Sequence, residues 1–536
     1  MSLVVNEVRR NFFRDSMQLM RLTEKAKAVP GVSDAVLVMA TGTNKMLMEQ
    51  IGLLTSEGRS ATENDLVLAV RAKEGADVTQ VVSAIGALLT SQQGDGEASS
   101  GRVFFGISAA LDNLAGANLA IVSLPGSQAA GAAEELLEAG VNVHLFSDHV
   151  PIEDEVRLKR FAASEGLLLL GPGAGTSIIN GVGLGFANAV ARGKIGVVAA
   201  AGTGLQEVSV LLDRIGLGVS QGFGVGGTDV SKEVGGIMMM ECLKLLEDDV
   251  NTGMLMVVAK TPDTEVVRKV MRFVDHSTTK PVVACFLGMD ASGEGRIHYA
   301  KTLHSAVHRA AGLSSPAYAR AFDDKIGSSL EDLASISKGL SSRLGPGQRH
   351  IRGLYTGGTL AHESLLLFSE LLGTSVYSNT PLSSTSGLSD PRISRGHSVI
   401  DLGEEFFTEG RAHPMIDSTI RRLRILQEAK DDSVGVIILD FVLGYGASED
   451  PAGSLADSIS EAKAIASKSG RDLVVMGHVC GTSADPQSLE RQSEKLTRIG
   501  VILYPSNAMM ALSSALTVSF ESVYGLLAKK WDGLVG

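Results

Sequence analysis

The sequence predicts an α/β protein of several domains built on parallel sheets. Three observations lead there. The chain has 536 residues, too many for one core, since domains usually run to about 100–200 residues. Short apolar runs recur without the in–out alternation of a half-exposed sheet, as expected of strands buried on both faces. Each run is followed by a glycine or polar turn and then an amphipathic stretch of helical length, the order of a βαβ unit.

Composition supports this and sets exclusions. Apolar residues make up 44% and charged residues 20%, an ordinary globular balance. Gly at 61 against Pro at 14, with aromatics at 4%, favours tight strand-to-helix turns over aromatic-lined pockets. The net charge is −12, and the densest basic stretch, Arg421 to Arg424, is one helical turn, so nucleic acid is not expected as a partner. No apolar run reaches the roughly 18–20 residues that span a bilayer. Met1 to Arg14 lacks the apolar core of a secretion signal. Cys242, Cys285 and Cys480 are too scattered for a disulfide framework or a CxxC metal site. The expectation is a cytoplasmic protein with no structural metal and no membrane partner.

In chain order, Val36–Ala40, Asp65–Val70, Leu119–Ser123, Val141–Phe146 and Gly166–Gly171 read as buried parallel strands. Ser127–Gly140 and Glu153–Gly166 read as helices between them. The polar, glycine-rich stretch Ser91–Gly101 reads as a surface loop. A second module starts at Lys194–Ala200 and continues through Met254–Ala259 and Pro281–Leu287. Gly327–Arg349 reads as a linker. The third module repeats the second with Ile351–Tyr355, Val434–Leu439, Asp472–Met476 and Val501–Tyr504. The echo is clearest where each module begins: Gly196–Glu207 and Gly353–Glu363 both run strand, glycine turn with threonine, then helix with an early Glu. The main difference is an insertion at about 373–417. The expected domains are 1–190, 191–345 and 346–536.

Glycines that open a helix after a strand aim free N–H groups and a positive helix end at one point, which suits a phosphate or carboxylate. Ala200–Glu207 has this form, so Gly202, Thr203 and Gly204 are the candidate anion cradle. Gln221–Asp229 carries four glycines in six residues, and Gly226 and Gly227 are placed beside the cradle. Thr356, Gly357 and Gly358 of the third module form a comparable nest and the expected facing half. Gly171–Ser177 suits an anion or a domain interface. In the insertion, Arg411 is suited to a carboxylate and His413 to moving a proton, with Asp417 nearby. His304 and His308 have helical spacing without an acidic partner, so no zinc site is expected. A Walker-type motif is absent.

The order of these parts resembles the succinyl-CoA synthetase superfamily, and within it the FdrA family of acyl-CoA synthetase-like proteins. The segments that carry the resemblance span nearly the whole chain. They include Phe146–Asp148 with Glu153–Glu155, Gly171-Pro172, Gly175–Ser177, Ala201–Glu207, Glu233–Gly236, Gly353–Leu360, Asp401–Gly403, Arg411 with His413–Asp417, and Gly444–Ala447 with Asp450-Pro451. It implies a Rossmann-like CoA-binding-type domain followed by two flavodoxin-like succinyl-CoA-ligase-type domains. It also leaves CoA open as a cofactor.

The synthetases' phosphohistidine motif follows a Lys-Pro-Val-Val strand. Here Lys280–Val283 is present, but Gly295–Ala300 holds His298 without the flanking glycines. Where the synthetases place a glutamate turn, this chain reads Ala259–Asp263. No ATP-grasp domain has a counterpart, so the phosphohistidine relay is expected to be lost. FdrA-like proteins are associated with oxamate carbamoyltransferase activity in allantoin catabolism, alongside unrelated subunits. The resemblance therefore implies a subunit of a hetero-oligomeric carbamoyl- or acyl-transferring complex. Its substrates would be small anions: carbamoyl phosphate, phosphate, and oxamate or oxalurate. Two other readings stand beside it, a CoA-thioester enzyme needing a separate nucleotide-binding chain and a non-catalytic assembly or regulatory subunit.

Overall fold

A computed structural model describes residues 3–12, 16–91, 104, 106–289, 295–409 and 411–536. The expected surface loop at Ser91–Gly101 lies, beyond its first residue, outside the described residues. The chain divides into two units, residues 1–103 with 402–421, and residues 104–401 with 422–536.

In the first unit, β1 (Val4–Arg9), β2 (Val32–Met39) and β3 (Leu66–Ala72) form one sheet in the order β1-β3-β2. Both pairings are antiparallel, with Val8 opposite Val67 and Leu37 opposite Leu68. The expectation of parallel strands at Val36–Ala40 and Asp65–Val70 is therefore corrected. The helices Ser16–Lys27 and Val78–Ser91 supply Leu19, Leu22, Ile85 and Leu89 to a core with Leu37, Leu66 and Leu68. On the other face Val36, Val38, Val67 and Ala69 pack with Met48 and Leu53. Burial on both faces removes the alternation that marks an antiparallel strand, which is why these runs look parallel in sequence.

Among the described residues, the second unit holds three sheets. The strands β4 (Leu119–Val122), β5 (Asn142–Leu145) and β6 (Leu169–Leu170) pair in parallel, with helices Gly126–Glu138 and Ile152–Ser164 between them as expected. Next come β7 (Thr176–Ile179), β8 (Val182–Gly185), β9 (Arg192–Ala200), β10 (Val219–Gly224), β11 (Met254–Lys260), β12 (Val282–Leu287) and β13 (Ile297–Ala300). They form one sheet in the order β13-β12-β11-β9-β10-β7-β8. β9 to β13 are parallel, while β7 and β8 join antiparallel at the edge.

The third sheet contains β14 (His350–Tyr355), β15 (Val376–Ser378), β16 (Ser386–Gly387), β17 (His397–Asp401), β18 (Val434–Val442), β19 (Val474–Cys480) and β20 (Ile502–Tyr504). Its order is β16-β15-β17-β14-β18-β19-β20, all parallel. Both large sheets thus share a 2-1-3-4-5 core, β10-β9-β11-β12-β13 and β17-β14-β18-β19-β20, the doubly wound flavodoxin-like order. The α/β class and the repeat of the second module in the third are as expected. The insertion is shared out, because it supplies β15, β16 and β17 here, while 402–421 belongs to the first unit.

The expected linker at Gly327–Arg349 is corrected as well. It contains the helix Leu330–Ser341, whose Leu330, Leu333, Ala334, Ser337 and Leu340 are buried. Ser337 Oγ lies 2.8 Å from Ser513 Oγ of the helix Asn507–Val518. Among the described residues, no helix is long and apolar enough to cross a membrane.

Candidate functional site

Strand β9 ends at Ala200, Ala201 stays extended at φ −167°, and the helix Gly202–Arg214 begins. Strand β14 ends at Tyr355 in the same way, and Gly357 caps the helix Gly358–Leu371. The two first turns abut, since the Thr359 N–H donates to Thr203 Oγ1 at 3.1 Å. Glycine is required at this contact: a Cβ on Gly357 would stand 2.9 Å from Thr203 Cγ2. Both turns sit at the carboxyl ends of the first strand of the 2-1-3-4-5 core of their sheets, beside the point where strand order reverses, the usual place for a ligand in such folds. Gly202, Thr203 and Gly204 keep their backbone N–H groups without a partner among the described residues.

The facing half differs from the sequence expectation. Asp440 on β18 already takes the Thr356 N–H at 2.9 Å, the Gly357 N–H at 2.7 Å and Thr356 Oγ1 at 3.0 Å. The nest of Thr356 and Gly357 therefore holds an internal carboxylate. Gly358 remains half-buried, and a Cβ there would come within 3.2 Å of Lys260 Nζ and closer still to Asp401 Oδ2. Lys260 ends β11 and Asp401 ends β17. His362, one helical turn on, is buried, and burial with the nearby Lys260 charge lowers its pKa to about 3. Its imidazole is neutral at pH 7. Lys260, Asp401, Asp440 and His362 are absent from the sequence-derived site. The available signal was that Lys260 and Asp440 lie on the third strand of each module, next to the first.

Gly226 and Gly227 serve otherwise than as a paired cradle. Gly226 has φ 84° and packs on the Pro172 carbonyl so closely that a Cβ would clash. Gly227 is exposed with open space around it. Their loop is pinned by buried Lys159, whose ammonium reaches Glu155 at 2.7 Å, Asp229 at 2.9 Å and the Val225 carbonyl at 3.0 Å. Gly202 in turn faces Gly175, 4.0 Å from where its Cβ would stand.

Beneath the helix turns lies a buried polar layer. The early glutamates of the two modules, Glu207 and Glu363, each cap a helix of the other module. Glu207 accepts the Asn507 N–H at 3.2 Å, and Glu363 accepts the Leu303 N–H at 2.7 Å. Asn507 Nδ2 also donates to Glu363 at 2.7 Å. Burial pushes Glu363 up to about 7. Burial acts on Glu207 in the same direction, but His478, bonded to it at 2.7 Å, the Arg214 charge and the Asn507 N–H together outweigh it and hold the carboxyl below its usual range. Ligand atoms of Glu207, His478 and Cys480 gather within 4.8 Å. Two of the three already bond each other, and burial keeps the Cys480 thiol protonated. A separate cavity of about 330 Å³ is lined by His308, Phe322, Asp323 and Trp531, none of them at the helix turns.

Arg411 and His413 belong to the first unit, whereas the glycine turns belong to the second. Arg411 Nε donates to Asn44 Oδ1 at 2.9 Å, and His413 Nδ1 accepts the Met415 N–H at 3.2 Å. His298, the position nearest a phosphohistidine, lies in edge strand β13 opposite Val283.

Three family descriptions match the chain: "AllF, heavy metal-associated domain" over residues 1–103, "CoA binding domain" over 191–288, and "CoA-ligase" over 354–516. The donors in the first of these do not make a usual heavy-metal site, because residues 1–103 contain neither Cys nor His and leave methionine thioethers as the soft donors. The uncharacterized protein YahF of Escherichia coli K12 is 40% identical over 513 residues, 94% of this chain and 96% of that protein. The α subunit of the ADP-forming succinate–CoA ligase of Aquifex aeolicus is 28% identical over 191 residues, 34% of this chain and 61% of that subunit. Subunit α 2 of the same ligase from Archaeoglobus fulgidus is 29% identical over 192 residues, 35% of this chain and 64% of that subunit.

Proposed function

Because the chain belongs to the FdrA family, with YahF, inside the succinyl-CoA synthetase superfamily, we propose that it is a subunit of a carbamoyl- or acyl-transferring complex. In the reading we favour, it moves a carbamoyl group between phosphate and oxamate. The observation that carries the proposal is the pair of abutting helix N-termini with Lys260 beside them. Free N–H groups at Gly202, Thr203 and Gly204 and the Lys260 ammonium beside Gly358 are donors suited to a phosphate, with the Asp401 carboxylate beside Gly358 offsetting part of their charge.

In the phosphorolytic direction a phosphate oxygen forms a bond to the carbamoyl carbon. The bond from that carbon to the oxalurate nitrogen breaks, and the nitrogen takes a proton as oxamate leaves. Orientation and stabilisation of the developing oxyanion would supply the catalysis. Arg411 and His413 remain proposals for the carboxylate contact and the proton, each to be tested by its own substitution.

The CoA-binding and CoA-ligase matches favour a second reading, a CoA-thioester enzyme that works with a separate nucleotide-binding chain. The backbone at Gly175, Gly202 and Gly227 is not crowded by side chains, so these residues would hold an anionic group of CoA. Bound CoA would supply a thiol as acyl acceptor.

Calorimetric titration of the purified chain with CoA, carbamoyl phosphate and phosphate, each with and without oxamate, separates the readings. Phosphate-type ligands binding where CoA does not supports carbamoyl transfer and leads to an assay with the partner subunits. Tight CoA binding replaces it with the thioester reading. Binding without turnover in the full complex would overturn both in favour of a non-catalytic subunit.

A further inference from the structure

We propose that the first unit carries its own binding site for a small oxyanion, a carboxylate or a phosphate, shared between the N-terminus of the helix Gly42–Gln50 and the guanidinium of Arg411. The proposal sharpens the anion-binding part of the reading above and stands whether or not any group is transferred.

Strand β2 delivers the chain to Thr41, whose φ of −64° and ψ of 157° end the strand and start the helix. Thr41 satisfies the end of the first turn, since its Oγ1 accepts the Asn44 N–H at 3.3 Å and its carbonyl accepts the Lys45 N–H at 3.0 Å. The Gly42 N–H is left without a partner among the described residues. Gly42 is exposed, and no atom stands within 4 Å of where its Cβ would be, so this end of the helix is open.

Arg411 reaches the same turn from the segment 402–421. Buried Phe407, Ala412, Met415 and Ile416 anchor that segment, and Arg411 itself is only 6% exposed. Its Nε bonds Asn44 Oδ1 at 2.9 Å. Asn44 Nδ2 donates to the Met39 carbonyl at 2.9 Å, which fixes the amide with its oxygen toward Arg411. The Nη2 atom is buried with no hydrogen-bond partner, and no ion pair to Arg411 is made among the described residues. Asp417 acts on it through space, and its Oδ1 is engaged by Thr419 N and Oγ1 at 3.0 and 2.6 Å. A buried guanidinium with an unused donor and no ion pair in contact with it is costly to fold around. An oxyanion beside the open helix end would supply both the charge and the acceptor, and would meet the positive helix end as well.

Hydrogen–deuterium exchange on the full chain, with inorganic phosphate or with oxamate, tests this. Exchange in the peptide Met39–Met46 is expected to slow with at least one of them, and which one names the ligand class. Arg411→Gln removes that protection while any protection at the Gly202 and Gly358 turns persists. Gly42→Pro is a second variant, because Pro is favoured at the first helical position and Thr41 is already extended as a residue before Pro must be. It deletes one donor and should weaken the anion about tenfold with the helix intact. Should Arg411→Gln unfold the first unit, seen as fast exchange across β2 without ligand, Gly42→Pro decides. No protection by either anion, or protection unchanged in Gly42→Pro, overturns the site. Turnover and CoA binding are not consulted, so the failure of this site and the failure of the carbamoyl reading can be told apart.

Discussion

Replacing Asp440 with Ala isolates the internal carboxylate at the Gly358 helix. Asp440 is fully buried and accepts from two buried backbone N–H groups, those of Thr356 and Gly357, and from the Thr356 hydroxyl. The hydroxyl can rotate to another acceptor, but the backbone donors cannot. Each buried orphan donor costs about 1–3 kcal/mol, so the expected loss is about 2–6 kcal/mol, nearer the low end if water enters the vacated space. Urea unfolding followed by circular dichroism reads the loss, and hydrogen exchange in the peptide Thr356–Leu360 locates it. Formate fits the space the carboxylate leaves and restores the same acceptors, so it should recover much of the midpoint at millimolar concentration, by mass action on the folded state. A loss under about 1 kcal/mol would refute the assignment of Asp440 as the resident anion of this turn, given the penalty for buried unpaired groups. A full loss untouched by formate would place the damage in packing instead.

Three further outcomes follow from the same geometry. Lys260→Gln should weaken inorganic phosphate binding about tenfold in calorimetry, with thermal stability nearly unchanged because the side chain is only half-buried. Gly226→Ala should destabilise by about 1–3 kcal/mol, since its φ of 84° and the Pro172 carbonyl both oppose a side chain; Gly227→Ala, in open space, should leave the melting temperature in place. Glu363 should make stability fall as pH rises. Its folded pKa of about 7 lies above the ordinary value of 4.5, so its favourable contribution is full below pH 4.5 and is lost through about 7. The span corresponds to about 3 kcal/mol at most, and Glu363→Gln should flatten denaturation midpoints measured across that window.

Much of the second unit was legible in sequence because buried parallel strands leave continuous apolar runs and the turns after β9 and β14 share glycine, threonine and an early glutamate. The same rule misled in the first unit, where helices and loops cover both faces of an antiparallel sheet and erase its alternation. At the site, Thr203, Gly357 and Gly358 were visible as local patterns. Lys260, Asp401 and Asp440 were not, because each reaches the turns from the end of a different strand and carries no local motif of its own. Gly226 was read for ligand contact when its conformation answers to Pro172. The helix Leu330–Ser341 was hidden by its polar face, although its buried positions keep helical spacing.

The early glutamates give the internal repeat a physical purpose. A carboxylate one turn into a helix has no capping role within that helix. Glu207 and Glu363 instead cross between modules to meet the helices that begin at Asn507 and Leu303. Each module therefore accepts a first-turn N–H that the other's own N-caps, Thr302 and Ser506, do not take. That exchange sets the Gly202 and Gly358 turns against each other at Thr203 and Thr359. The two carboxylates are held in opposite states, Glu207 ionised by His478 and Glu363 pushed toward neutrality by burial. Two adjacent buried anions would repel across the shared Asn507, so one proton retained on Glu363 near neutral pH lets the crossing stand. A ligand at the turns above would act on both modules at once, because neither turn can move without disturbing the cap that its own glutamate places on the other side.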